Sequence, residues 1–535
     1  MTFRIKARDI WHNMARFMLR YTGSRIKKML CVIVVFSLMV FLSACGKPGQ
    51  GNDSDNRDTT DSLTAGLTGQ EGGLHGMAIQ NGETDGNASL KEAETYQDAD
   101  TGKDTGMETN TAKDAETGNA TQTSAPSQLP YDGIYPEHEP YGAGVGVMPG
   151  RVVWAHDPSA VSWDGGGYWW QTEHFDEAAV LRMVNESIAA LAGETDAAGG
   201  WDVLFRYRNG GISYHAGEKI AIKANINGSG VFDDDTSGET HMSYTNPVLL
   251  KALLLSLVTE AGVAPGDITV YDVSRLFPDY MTEMCTEGEL QGVHFVGRNN
   301  GKADQNAPVN WSYSFSGAVN YLPACVTEAS YVINLANLKG HSYGVTLCGK
   351  NHFGSFLNGN AMRPPEGANL HQWLTKSEMG IYSPLVDLMG NYQLGGKTVL
   401  YMLDGLICAP SEGASITKEN ATWQQPPFNG NYTASVFVSQ DPVAIDSVGA
   451  DFLTNEPTVR RYNGAAGDPC NENYLHEAGL AENAPSGTVY YDGNGEPLGN
   501  LGVHEHWNNS TDKLYSRNLG GGEGIELIQI FPDAV

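Results

Sequence analysis

Three consecutive stretches decide the fold: KIAIKA at 219–224, NPVLLKALLLSLVTEAG at 246–262 and DITVYD at 267–272. The first and third are short apolar runs of strand length. The second opens with Asn246 as N-cap and Pro247 in the first turn. It carries Leu249, Leu250, Leu253, Leu254 and Leu257 on one face and closes at Gly262, which reads as a helix between two strands. The alternation continues outward. YVINLAN (331–337), TVLYMLD (398–404) and ASVFVS (434–439) read as strands, and helices are predicted near 381–391 and after Asp441-Pro442. GIELIQIF (524–531) closes the chain as a further strand. Apolar strands alternating with helices predict an α/β fold with a largely parallel sheet covered by helices on both faces. No internal repeat is visible.

Upstream, the polymer changes character twice. Residues 1–28 hold eight Lys or Arg and one acid, followed by the apolar run MLCVIVVFSLMVFLSAC at 29–45. A basic segment before a short apolar run is the pattern of a secretory signal. The 14 residues before Ser43 fall short of the ~20 needed for a stable span. The ending Leu42-Ser43-Ala44-Cys45 resembles a bacterial lipoprotein box, which implies lipidation of Cys45 with diacylglyceryl and palmitate chains. The competing reading is an uncleaved anchor. Both place the rest on the extracytoplasmic face of the bacterial cell membrane, with the membrane as a partner through the lipid. Residues 46–130 carry 15 acids, 5 bases and one aromatic, Tyr96. Such a composition cannot bury enough apolar surface to offset chain entropy, so a disordered acidic tether is expected. The predicted organisation is a signal peptide at 1–44, a tether at 45–130 and an α/β domain at 131–535.

The whole chain of 535 residues has 63 acids against 33 bases, a formal charge of −30. That excludes the basic footprint needed for nucleic acid. Beyond the signal and Cys45, five cysteines remain: Cys285, Cys325, Cys348, Cys408 and Cys470. No Cys-x-x-Cys pair exists among them, which argues against an iron–sulfur cluster or zinc ribbon.

In open α/β sheets, ligands bind beyond the carboxyl ends of the strands. KIAIKANIN delivers Lys223 and Asn225, VINLANLKGH delivers Lys339 and His341, VLYMLDG delivers Asp404, and VFVSQDP delivers Asp441 with Asp446 one turn on. The segment YGVTLCGKNHFGS adds Lys350, Asn351 and His352. In a chain poor in bases, Lys223, Lys339 and Lys350 at such positions predict a crevice for a small anionic ligand, carboxylate or phosphate. Lys339, His341, Lys350 and Asp404 are the candidate catalytic groups. Lys223, Asn225, Asn351, Asp441 and Asp446 are the candidate binding groups. The bland alternative is solvated loop residues and helix caps.

Other constellations compete with plain structural readings. His504 and His506 flank Glu505 and, on a strand, would point to one face as ligands of a divalent metal. The spacing identifies no third ligand, though His341 or an Asp would serve in space, and a polar turn beside Trp507 is the alternative. Asp492-Gly-Asn494-Gly-Glu496 lacks the Glu of a calcium loop and reads as a hairpin turn. Asp233-Asp234-Asp235 reads as a solvated acidic loop. Trp154, Trp163 and Tyr168-Trp169-Trp170 read as core more readily than as a ligand face.

The motif series KIAIKANIN, NPVLLKALLLSLVTEAG, VINLANLKGHSYGVTLCGKNHFG, LDG and SQDPVAIDSVGADFL, spanning 219–453, resembles the domain-of-unknown-function 362 family. The resemblance implies an α/β fold, a family without a settled reaction, and motif status for the nine crevice residues named above. Many relatives carry ferredoxin modules; this chain lacks those Cys runs. Ala409-Pro410-Ser411-Glu412-Gly413 stands where the family has Gly-Pro after Asp-Gly. HEHWNNSTDKLYSRNLG resembles a secreted subgroup. The leading expectation is an enzyme acting on a small anionic ligand, metal-assisted if His504 and His506 hold an ion. The alternatives are an extracellular solute-binding lipoprotein and a cell-surface interaction protein.

Overall fold

The computed structural model describes residues 135, 138–229, 236–313, 319–358, 370–374, 378–463 and 470–532. The expected signal peptide and tether, with Cys45, and residues 233–235 lie outside them. No helix among the described residues is long and apolar enough to cross a membrane.

Eight strands build the central sheet: β1 (Arg151–His156), β2 (Ile220–Ala224), β3 (Ile268–Tyr271), β4 (His294–Val296), β5 (Tyr331–Asn337), β6 (Thr398–Gly405), β7 (Ser435–Ser439) and β8 (Glu526–Ile530). Their order is β8-β1-β7-β6-β5-β2-β3-β4. All neighbours are parallel except β7, which runs antiparallel to both β6 and β1. The mostly parallel α/β fold is therefore present, with one reversal that matters for the site. Gly405 at the end of β6 pairs with Ser435 at the start of β7. The chain leaves β6, loops through 406–434 and re-enters at the same edge, so β7 must run back.

The helices used below are α1 (Glu177–Ala192), α2 (Ala197–Arg208), α3 (Pro247–Thr259), α4 (Cys348–Asn351), α5 (Pro384–Gly390), α6 (Pro442–Thr454) and α7 (Cys470–Gly479). Strand alternation divides the core between the two sheet faces. Val153, Ile222 and Val436 pack with Val184 of α1, Leu204 of α2 and Leu253 of α3. Val152, Trp154 and Phe437 face the other way, against Val448 and Phe452 of α6 and Leu475 of α7. Asn246 caps α3 by accepting from Val248 N, as its position before Pro247 predicts. Trp154, Trp163 and Trp169 are buried core residues. Asp492 accepts from Asn494 N and Glu496 N, closing the 491–497 turn. No disulfide joins Cys285, Cys325, Cys348, Cys408 and Cys470, which are thiols.

Candidate active site at the carboxyl edge

Strands β2, β3, β5 and β6 end at one edge, where the segments after β5 close over it. Beyond β5, Lys339–His341 and Gly344–Thr346 form a hairpin, with His341 opposite Gly344. Gly344 has φ 85°, and a Cβ there would meet Asn471 Oδ1 at 2.1 Å, so the turn needs glycine. The short helix α4 follows. Asp446, inside α6, accepts from Cys348 N and Gly349 N, both at 2.8 Å, and from the Tyr474 hydroxyl at 2.9 Å. That carboxylate anchors the start of α4 and so positions Lys350. Burial pushes its pKa up to about 6, against the pull of those donors.

The three lysines have different surroundings. Lys223 is fully buried, and its Nζ donates to Asp272 Oδ2 at 3.1 Å, Asn351 Oδ1 at 3.3 Å and Ala224 O at 2.5 Å. Asn351 Nδ2 in turn donates to Asn334 Oδ1, Leu335 O and Lys223 O. Asn334 also meets His352 Nε2 at 3.0 Å. Lys223, Asn351 and His352 thus form a closed polar network beneath α4. Gly354 belongs to it, because a Cβ there would lie 2.4 Å from Asp272 Oδ1.

Lys339 Nζ is also fully buried but donates only to neutral oxygens, Asn225 Oδ1 at 3.2 Å and Ser243 O at 2.9 Å. Burial lowers its pKa to about 7, although Glu412 and Asp404 pull the other way. Lys350 is 8 % exposed, and its Nζ has no hydrogen-bond partner among the described residues; it lies 4.4 Å from the Phe353 ring centre. Burial brings it to about 7 as well, with Cys470 and Glu412 opposing and the charge of Lys339 assisting. Beside Lys350 lies a cavity of about 20 Å³, lined in part by Tyr343, Leu374, Asp446, Cys470 and Tyr474. That is room for a water-sized group, such as one oxygen of a carboxylate or phosphate.

His341 stands near the same edge. Tyr343 N donates to its Nδ1 at 3.0 Å, which puts the proton of the neutral ring on Nε2. Its Nδ1 is 3.8 Å from Glu412 Oε1, and its ring stacks on His371 at 5.4 Å. Glu412 is itself held by Ser342 N at 2.8 Å.

Two expected site residues are placed differently from the prediction. Asp441 does not reach this edge: β7 is reversed, so its carboxyl end lies at the opposite edge. There Asp441 caps α6 through Val443 N and Ala444 N and accepts from Val145 N and Val503 N. Asp404 is at the right edge, but its oxygens accept from Asn246 N at 2.7 Å and Leu406 N at 3.2 Å. Burial raises its pKa to about 6, and it acts on the site as a negative charge near Lys339. His504 and His506 belong to a separate cluster on the far face of α7. The sequence reading missed Glu412, Cys470 and Tyr474. Of these, Glu412 had a visible signal, standing in the segment that replaces the family's Gly-Pro.

These features define an α/β protein with three buried lysines near the carboxyl edge of its parallel strands, one of which, Lys350, borders a small cavity. Residues 220–451 match the family described as domain of unknown function (DUF362), and the chain carries a domain of that family. No curated protein matches the chain.

Proposed function

We propose that this protein is a lipid-anchored enzyme of the extracytoplasmic membrane face that acts on a small anionic ligand held by Lys350 and Lys339. One observation carries the reading: Lys350 Nζ is buried without a partner among the described residues. A buried ammonium without a counter-charge is costly, and a ligand anion is the partner that would compensate it. Lys339, hydrogen-bonded to two neutral oxygens, adds a second positive charge nearby. Two such amines stabilise negative charge that sits or develops on a bound carboxylate or phosphate. His341, at the same edge, is the candidate acid–base residue. Asn225 orients Lys339, and Asp446 positions the helix that carries Lys350.

The solute-receptor alternative expects two similar α/β lobes, whereas the described residues build one eight-stranded sheet. The anchor reading rests on the apolar run ending in Leu-Ser-Ala-Cys at Cys45. Cys45→Ser should release the protein from the membrane fraction and remove the lipid from its intact mass; unchanged mass and retention would contradict it. For the crevice, a thermal-shift series with inorganic phosphate and acetate on wild type and Lys350→Ala tests the reading. Stabilisation of wild type alone is expected. Equal shifts in both proteins would refute it.

A further inference from the structure

A second cluster of chemistry lies apart from the crevice. His138, Glu472, His504 and His506 present one ligand atom each, all within 4.8 Å of one another. His504, His506 and Glu472 are buried, with His504 at 0 % exposure and Glu472 at 5 %.

The surroundings orient each ring. His138 Nδ1 lies 2.7 Å from Glu139 O, an acceptor, so that nitrogen carries the proton. His504 Nδ1 lies 2.8 Å from Ser447 Oγ. The Ser447 hydroxyl donates its only proton to Val443 O at 2.7 Å, so it can only accept from His504. His506 Nδ1 lies 2.7 Å from Asp451 Oδ1, whose other oxygen receives Trp507 N and the Tyr515 hydroxyl, each at 3.0 Å. Three acceptors thus hold three Nδ1–H groups, and in the neutral rings three Nε2 lone pairs remain.

Those lone pairs converge on a carboxylate. His506 Nε2 is 3.1 Å and His504 Nε2 is 3.4 Å from Glu472 Oε2. His138 Nε2, His504 Nε2 and Glu472 Oε1 are buried with no hydrogen-bond partner among the described residues. Lone pairs and a carboxylate facing one another repel unless a proton or a metal cation sits between them, and a proton on His506 Nε2 would still leave His138 Nε2, His504 Nε2 and Glu472 Oε1 without a partner among the described residues. Histidines tied back through the second nitrogen to a carboxylate, hydroxyl or carbonyl are the usual supporting arrangement of a metal ligand.

We propose that His138, Glu472, His504 and His506 bind one divalent first-row transition-metal ion, of which Zn²⁺ is the best fit, in a closed structural site. Imidazole nitrogens with one carboxylate select this class over calcium or magnesium. Four protein ligands complete a tetrahedral shell and leave no open position. The ion ties the start of the domain at His138 to α7 at Glu472 and to the 503–504 strand, which pairs with 141–142. It would also fix α7, whose other side places Cys470 and Tyr474 at the Lys350 cavity. His476, with Nε2 3.6 Å from Glu472 Oε2, stands one turn along α7 as a neighbour of this shell.

The test uses the full chain, stripped with a chelator and titrated with Zn²⁺ alone, with metal content and melting temperature as readouts. One ion per chain and a rise in melting temperature on adding Zn²⁺ are expected. Glu472→Gln should weaken binding at least 100-fold, and Ser447→Ala by roughly 10–100-fold through loss of ring orientation. His138→Ala, at the edge of the cluster, should leave the stripped protein's melting temperature unchanged while removing most of the Zn²⁺-induced rise. Failure of the stripped wild type to take up Zn²⁺, or an undiminished rise in His138→Ala, would overturn the proposal.

Discussion

Lys223 and Lys350 are two buried lysines over the same sheet edge, and they differ in what meets the amine. Lys223 has a carboxylate, an amide oxygen and a carbonyl around it. Lys350 has an aromatic ring and a small cavity. The first charge is compensated within the fold. The second has no hydrogen-bond partner among the described residues, and a ligand anion is the partner proposed for it. Burial alone does not make a lysine a candidate site residue; burial without a partner among the described residues is what singles out Lys350.

The largest effect should come from breaking the compensated side. Lys223→Met leaves Asp272 buried without its cation, and should cost about 3–5 kcal/mol of stability in chemical denaturation. Full stability in this variant would erase the distinction between the two lysines. Next is Asp446→Asn. It replaces one acceptor oxygen with an amide NH2, a donor, opposite donors from Cys348, Gly349 or Tyr474, at a cost of about 1–3 kcal/mol. It should also weaken anion binding, because α4 carries Lys350.

Lys350→Met sharpens the comparison from the other side. The folded-state pKa of Lys350 is lowered to about 7. Between that value and the unfolded lysine's ordinary ~10.4 the unfolded chain binds more protons, so wild-type stability rises with pH. Below about pH 7 the full penalty of burying the charge is present. Lys350→Met should therefore raise the melting temperature by roughly 2–5 °C at pH 6, and the advantage should shrink toward pH 10. A fall in melting temperature at pH 6 would show that the amine has a stabilising partner.

Much of this was legible in the sequence, and the limits have physical causes. The β2–α3–β3 unit was readable because Asn246-Pro247 punctuates a leucine-rich face between two apolar runs. The reversal of β7 was not, because antiparallel entry depends on where the 406–434 excursion returns, and no local pattern encodes that. Asp441 was misplaced for the same reason. Lys223's partner was not legible: the register pairs Lys223 with Tyr271, so strand parity alone would not bring Asp272 to it, and the ion pair forms just past the end of β3. The metal cluster was half visible. His504-Glu-His506 stood out, and Glu472 with His476 has the i, i+4 spacing of one helix face. His138, in contrast, lies 334 residues or more from its partners, and only the pairing of 141–142 with 503–504 brings it in.

The central claim is that Lys350 holds a ligand anion through its charge. Sulfate does not titrate between pH 6 and 8, so any change in its affinity over that range reports on the protein. The account predicts that sulfate binding to wild type weakens by about tenfold or more from pH 6 to pH 8, as Lys350, and Lys339 beside it, each with a pKa of about 7, lose their protons. Lys350→Met should bind sulfate weakly at both values. A wild-type affinity that is flat across this range, or sulfate binding retained in Lys350→Met, would contradict it.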